Sequence, residues 1–306
     1  MDLSRLHPQA RSAVGAQIRV PLTVENLAEV RRSMTDAAPV EVGAGPRLRT
    51  VTEVDADGVP ARFYSDGPAG TPVLLFAHGG GWVMGDLATH DGLCRQLAAD
   101  SGWAVLAVEY RLAPESAYPA AVDDMERALG WLRRADPPVA VAVAGDSAGG
   151  YLAAVLARRA ADAGRPVAAQ VLICPALDPA MSYPDLDDYG LDREEMRFFW
   201  QAFAPAGSAP VNPLLMDPAG MPPAVVVTAE LDVLRDEAER YAHRLQAAGV
   251  PVISTRYQGV NHNFVRKLAL FDAAGVAVAQ IAAALRSPGI VVSSSLIPGG
   301  AQSKLL

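Results

Sequence analysis

The chain has 306 residues, of which 51% are hydrophobic and 20% charged, with a formal net charge of −8. That is enough apolar material for one large core, alone or with a small cap. The charges are dispersed, with no Lys/Arg run to neutralise phosphates, which argues against nucleic acid and anionic membrane surfaces as partners.

In chain order, residues 1–45 stand outside any sheet rhythm and read as an arm with one amphipathic helix near 22–34, followed by the flexible exit VGAGP. Stretches 48–54 and 59–64 alternate apolar and polar residues around DADG, a turn signal, and predict an antiparallel hairpin at a sheet edge. From Val73 onward, short and continuously apolar runs alternate with helix-length segments. The runs are 73–77, 104–108, 139–144, 169–173, 224–229 and 252–257, and their lack of alternation suits strands buried on both faces. Helices are expected at about 89–100, 119–135, 148–163 and 234–248, the last closed by Gly249 and Pro251. The pattern spells an α/β fold with a mostly parallel sheet. It is interrupted from Asp178 to Pro210 by an insertion with an aromatic helix near 192–203, DREEMRFFWQAF. Residues 1–45 and 178–210 are therefore expected to form a cap over a core of 46–177 and 211–286, with 287–306 a tail of uncertain structure. No internal repeats occur.

The two cysteines, Cys94 and Cys174, lack any CxxC spacing and read as buried free thiols rather than a zinc or disulfide framework. The first residues, MDLSRLHPQARSAV, have no apolar stretch of signal-peptide length, and the QSKLL ending places SKL one residue too early for a peroxisomal address. Nothing approaches about 18 uninterrupted apolar residues. A cytoplasmic protein without a membrane span is the expectation.

The chemistry is concentrated in GDSAG (145–149). It follows an apolar strand and opens a helix, which is the context a nucleophile elbow requires. A sharp strand-to-helix turn exposes Ser147, and side chains at the flanking glycines would obstruct it. A serine needs a base to become nucleophilic. Of five histidines, His7 lies in the arm, His243 lies mid-helix and His90 sits near a helix start. His262, in the polar loop QGVNHNF after the last strand, is the candidate base. The acid should precede it after another strand. TAELDVLRDE offers Asp232 as first choice and Glu230 as second, whereas Asp236 and Glu237 read as first-turn helix carboxylates. AHGGGW (77–82) follows the first parallel strand, and its three glycines allow backbone N–H groups to approach a substrate closely. His78 is expected to brace that loop by hydrogen bonding.

HGGGW, EYRLAPE, YPAAVDD, GDSAGG, LDVLRDE and NHNF, taken in this order from about Val73 to Phe264, resemble the hormone-sensitive lipase-like family of bacterial esterases. The resemblance implies an α/β-hydrolase sheet of about eight strands under a small helical cap. It implies a serine carboxylesterase acting on short- to medium-chain esters through an acyl-enzyme, with Ser147, Asp232 and His262 as triad. The oxyanion donors would be the N–H groups of Gly80, Gly81 and Ala148. No metal or organic cofactor is implied, and the partner is a small-molecule ester, with a homodimer allowed. Trp82, Phe198, Phe199 and Phe203, together with Trp200, are candidates either for an apolar substrate pocket or for packing the cap onto the core. The usual HGF is HNF here, which makes the loop at Asn263 the main departure. The same triad serves acyltransferases, amidases and deacetylases, and the plant gibberellin receptor resembles the family while lacking the working histidine.

Overall fold

The computed structural model describes residues 2–15, 21–182 and 189–287. Eight strands form one sheet: β1 (Thr50–Asp55), β2 (Pro60–Ser65), β3 (Val73–Ala77), β4 (Ala104–Val108), β5 (Val141–Asp146), β6 (Gln170–Ile173), β7 (Ala224–Leu231) and β8 (Val252–Asn261). Their spatial order is β1-β2-β4-β3-β5-β6-β7-β8. β2 pairs antiparallel with both β1 and β4, and every other neighbouring pair is parallel. This is the α/β-hydrolase sheet that the sequence implies, with the hairpin at its edge.

The continuous apolar runs are explained by a core on each face. Val73, Leu75, Leu106, Val143 and Val226 point to one side, and Leu74, Phe76, Val105, Ala142 and Val225 to the other. The first side is covered by α4 (Ala120–Leu132), α5 (Ala148–Asp162) and α7 (Arg235–Ala247). The second is covered by α3 (Asp91–Ser101) and α8 (Asp272–Leu285). α8 is not among the expected helices: DAAGVAVAQIAAAL is apolar on nearly every face, and so carries little helical periodicity. Among the described residues, no helix is long and apolar enough to cross a membrane.

Among the described residues the arm holds a 3-10 turn, Leu3–Arg5, and two α-helices, α1 (Pro8–Gly15) and α2 (Leu27–Glu41), so the expected helix at 22–34 lies too early. Thr23 and Asn26 bond each other's backbone N–H reciprocally and form a turn ahead of α2. At the other end α2 runs through Pro39, in its last turn, where only one helical hydrogen bond is forfeited. In the insertion, α6 (Arg193–Phe203) begins at a capping box in which Asp192 and Glu195 satisfy each other's N–H groups. The expected tail, apart from Ser287, lies outside the described residues.

Candidate active site

β3 is the point where strand order reverses: the chain goes next to β4 on one side and then to β5 on the other. Ligands of open α/β sheets bind beyond the carboxyl ends of strands at such a point. Ala77 pairs with Gly145 there, so the HGGG loop leaving β3 and the serine leaving β5 emerge side by side. Asp232 follows β7, and His262 follows β8.

Ser147 is held in an elbow with φ 53° and ψ −116°, a conformation costing about 1–3 kcal/mol that persists only where its surroundings enforce it. Its N–H donates to Ile173 O at 2.8 Å, and its carbonyl accepts from Ala176 N at 3.1 Å. The glycines make the elbow possible. A β-carbon at Gly149 would stand 1.9 Å from the Ala77 carbonyl oxygen, and one at Gly145 would stand 2.3 Å from Gly149. Chain separation is closed by side chains: Ser147 Oγ lies 3.0 Å from His262 Nε2, and His262 Nδ1 lies 2.7 Å from Asp232 Oδ2. Asp232 Oδ1 in turn accepts the Leu234 N–H at 2.9 Å. All three residues are buried, so these bonds operate at low local dielectric. Glu230, the second choice for the acid, is used elsewhere and accepts the Gly259 N–H.

Asn263 adopts φ 64° and ψ 14°. That left-handed conformation is one that a glycine favours and that asparagine tolerates better than most other residues. Cys174, at φ 44°, is the other feature of this corner. Its sulfur lies within 4.8 Å of donor atoms of both Asp232 and His262. Burial and the Asp232 charge push its thiol well up, keeping it protonated. Both cysteines are free and buried.

Gly80 and Gly81 have φ of 124° and 60°. Among the described residues, nothing takes up their N–H groups. Ala148 is the first residue of α5, where a helix N–H has no partner within the helix. The loop is braced from below by Asp146, a residue absent from the expectations although it occupies the second position of the motif. Its Oδ1 accepts the Gly79 N–H at 2.8 Å, and its Oδ2 lies 3.2 Å from His90 Nε2. Burial alone would raise the Asp146 carboxyl, but the His90 charge and hydrogen bond hold it below the usual carboxylate range. His78 bonds Gly79 O through Nδ1 at 2.9 Å and stacks on Tyr110, whose hydroxyl donates to His78 O at 2.7 Å. Burial, followed by the charge of His90, lowers the His78 pKa to about 4.

A cleft of about 310 Å³ opens above Ser147, with walls from α2, the insertion and the segment after β8. Of the five aromatic candidates, Phe199 lines it and packs so closely on the loop that a β-carbon at Gly81 would lie 2.3 Å from its ring. Trp82 and Phe203 are buried and stacked on each other at 4.4 Å, with Trp200 4.3 Å from Trp82. Trp82 also donates Nε1–H to Ala148 O at 3.0 Å, tying α6 to the elbow. Phe198 lines a separate groove with Pro21 and Leu22. Sequence reasoning did not anticipate Met34, Met84, Arg266 and Lys267 in the cleft, because nothing local marks them as neighbours of Ser147.

The sheet, the reversal at β3 and the Ser147–His262–Asp232 chain define a hydrolase of the α/β-hydrolase fold. A family model described as alpha/beta hydrolase fold matches residues 74–266. The esterase LipI of Mycobacterium tuberculosis is 41% identical over 234 residues, which is 71% of this chain and 73% of that protein. An ethyl acetate hydrolase of Pseudomonas putida is 33% identical over 293 residues, 87% of this chain and 92% of its own. A solved esterase from Pyrobaculum calidifontis superposes with a TM-score of 0.85 at 36% identity, covering 93% of this chain and 99% of that one. The chain belongs to this family, as one of its hormone-sensitive lipase-like carboxylic ester hydrolases.

Proposed function

We propose that the protein hydrolyses esters of short to medium acyl chains through an acyl-enzyme on Ser147. The observation that carries this reading is the unbroken chain of hydrogen bonds from Ser147 Oγ through His262 to Asp232 at the floor of the cleft. In the first step, His262 Nε2 takes the serine proton as Oγ attacks the ester carbonyl. Asp232 fixes the tautomer with Nδ1–H toward itself and stabilises the imidazolium. The negative oxygen of the tetrahedral intermediate is received by the N–H groups of Gly80, Gly81 and Ala148, each worth about 3–4 kcal/mol in comparable sites. His262 then gives its proton to the leaving alcohol, and water repeats the cycle on the acyl-enzyme.

The described parts of 1–45 and 178–210 act as the cap over the core of 46–177 and 211–286, and Phe199 shapes the substrate space. The cleft is near the lower end of the range for small-molecule sites, about 300–1,000 Å³, which suits small esters better than triglycerides. The name of the Pseudomonas putida relative, an ethyl acetate hydrolase, supports a short acyl group. The test is hydrolysis of p-nitrophenyl esters of increasing acyl length by wild type and Ser147→Ala. Turnover should peak at acyl chains of eight carbons or fewer and fall about a thousandfold or more in the variant. Equal turnover by the variant would sink the acyl-enzyme, and a long-chain optimum would sink the substrate range.

A further inference from the structure

The lining of the cleft divides into an apolar set, including Met34, Met84, Leu191 and Phe199, and a polar set formed by Asn261, Asn263, Arg266, Lys267 and Glu41. The two cations are deeply placed, with side chains only 6% and 11% exposed. One carboxylate serves both: Glu41, the last residue of α2, receives Arg266 Nη2 on one oxygen and Lys267 Nζ on the other, the latter at 2.9 Å. The pair therefore keeps one positive charge in excess over its partner. Glu195 also lines the cleft, but it is engaged at the start of α6, where it accepts the Asp192 N–H at 3.2 Å.

Hydrogen bonding is incomplete on the same segment. Arg266 Nε and Nη1 and the Oδ1 atoms of Asn261 and Asn263 are buried without a partner among the described residues. Among the described residues, four of the eight such side-chain atoms fall on this six-residue stretch. A buried donor left unmet is costly, and two cations sharing one carboxylate are short of anionic acceptors. A wholly apolar substrate would supply no acceptor to either cation.

We propose that the cleft takes esters carrying a second, ionised carboxylate, which seats against Arg266 and Lys267 as Glu41 gives up part of its hold. The proposal rests on the hydrolase reading of Ser147 and names its substrate class. A guanidinium matches a carboxylate in a planar, two-point fashion, and the neighbouring ammonium adds a point charge. The carboxylate can belong to the acyl part, as in a half-ester of a dicarboxylic acid, or to the alcohol part, as in an acylated hydroxy acid.

The experiment measures kcat/KM by pH-stat titration for two matched pairs. These are monoethyl adipate against ethyl hexanoate, and 4-butyryloxybutanoate against butyl butyrate. The charged member of at least one pair should be preferred by about tenfold or more, and that pair identifies the side bearing the carboxylate. Lys267→Gln and Arg266→Gln should each cut that preference by about tenfold. Glu41→Gln should raise it, because it frees both cations. If the three residues only strut α2 against the core, all variants depress both members of a pair alike and the ratio stays constant. That constancy overturns the proposal, as does preference for the neutral member in both pairs. Should Arg266→Gln fail to fold, Lys267→Gln and Glu41→Gln carry the test, with opposite expected signs. Inactivity toward all four esters also overturns it, and labelling of Ser147 by a fluorophosphonate in the same sample then shows whether the hydrolase reading survives.

Discussion

Gly80→Ala is the sharpest probe of the loop above Ser147. A β-carbon at this position would stand 2.1 Å from the Met84 carbonyl oxygen and 2.6 Å from its carbon. An unstrained carbon–oxygen contact is about 3.3 Å, so the overlap exceeds about 1 Å. The obstacle is backbone and cannot rotate away. Gly80 O itself closes the turn by accepting Val83 N at 3.1 Å and Met84 N at 2.9 Å, so relief requires opening residues 80–84. The φ of 124° adds strain for any residue with a side chain. Opening the turn displaces the Gly81 N–H by on the order of 1 Å, beyond the narrow range in which an oxyanion donor acts; losing one donor costs about 10²–10³ in kcat. With p-nitrophenyl butyrate, kcat should fall by that factor while KM changes little. The melting temperature should fall as well, because opening the turn disturbs Trp82 and Val83, which are fully buried in it. A normal melting temperature with kcat within about threefold of wild type would refute the role given to this loop.

Two further outcomes follow from buried or strained groups. His78 titrates near 4 in the native protein against an ordinary 6.5, so between these values the unfolded chain holds a proton that the native state lacks. Stability present above pH 6.5 is therefore lost as the pH falls toward 4, by about 3 kcal/mol for this group. Urea unfolding at pH 7.5 and 4.5 should show a smaller loss in His78→Asn than in wild type, and parallel losses would contradict a neutral, buried His78. At Asn263, with its φ of 64°, replacement by glycine should leave the melting temperature close to wild type. Valine, β-branched in a left-handed conformation, should destabilise by about 1–2 kcal/mol, and an equal melting temperature for all three would remove the conformational argument.

The core strands were legible because their signal is local. VLLFA and AVLAV announce burial on both faces by composition alone, and the structure bounds them at Val73–Ala77 and Ala104–Val108, as expected. The elbow was legible for the same reason, since strand, glycine, serine, glycine and helix are consecutive. α8 and the start of α2 were not. One is apolar all round, and the other is displaced by a reciprocal Thr23–Asn26 turn that competes with helix in a way composition does not reveal.

By itself, then, the sequence determined the alternation of strands and helices, the antiparallel edge and the candidate nucleophile, base and acid, each through its place after a strand. Tertiary structure decided which side chains meet. Ser147 and His262 are 115 residues apart, and β5 and β8 are not neighbours in the sheet; only the shared carboxyl edge brings their following residues to 3.0 Å. It also separated the aromatic residues of one short helix, sending Phe199 to the cleft and Phe203 into the packing beneath Trp82. Finally, it drew Glu41 from the arm onto Arg266 and Lys267. Propensity and turn chemistry act over a few residues, whereas a site is made by contacts between distant ones, and the sequence pattern does not record those directly.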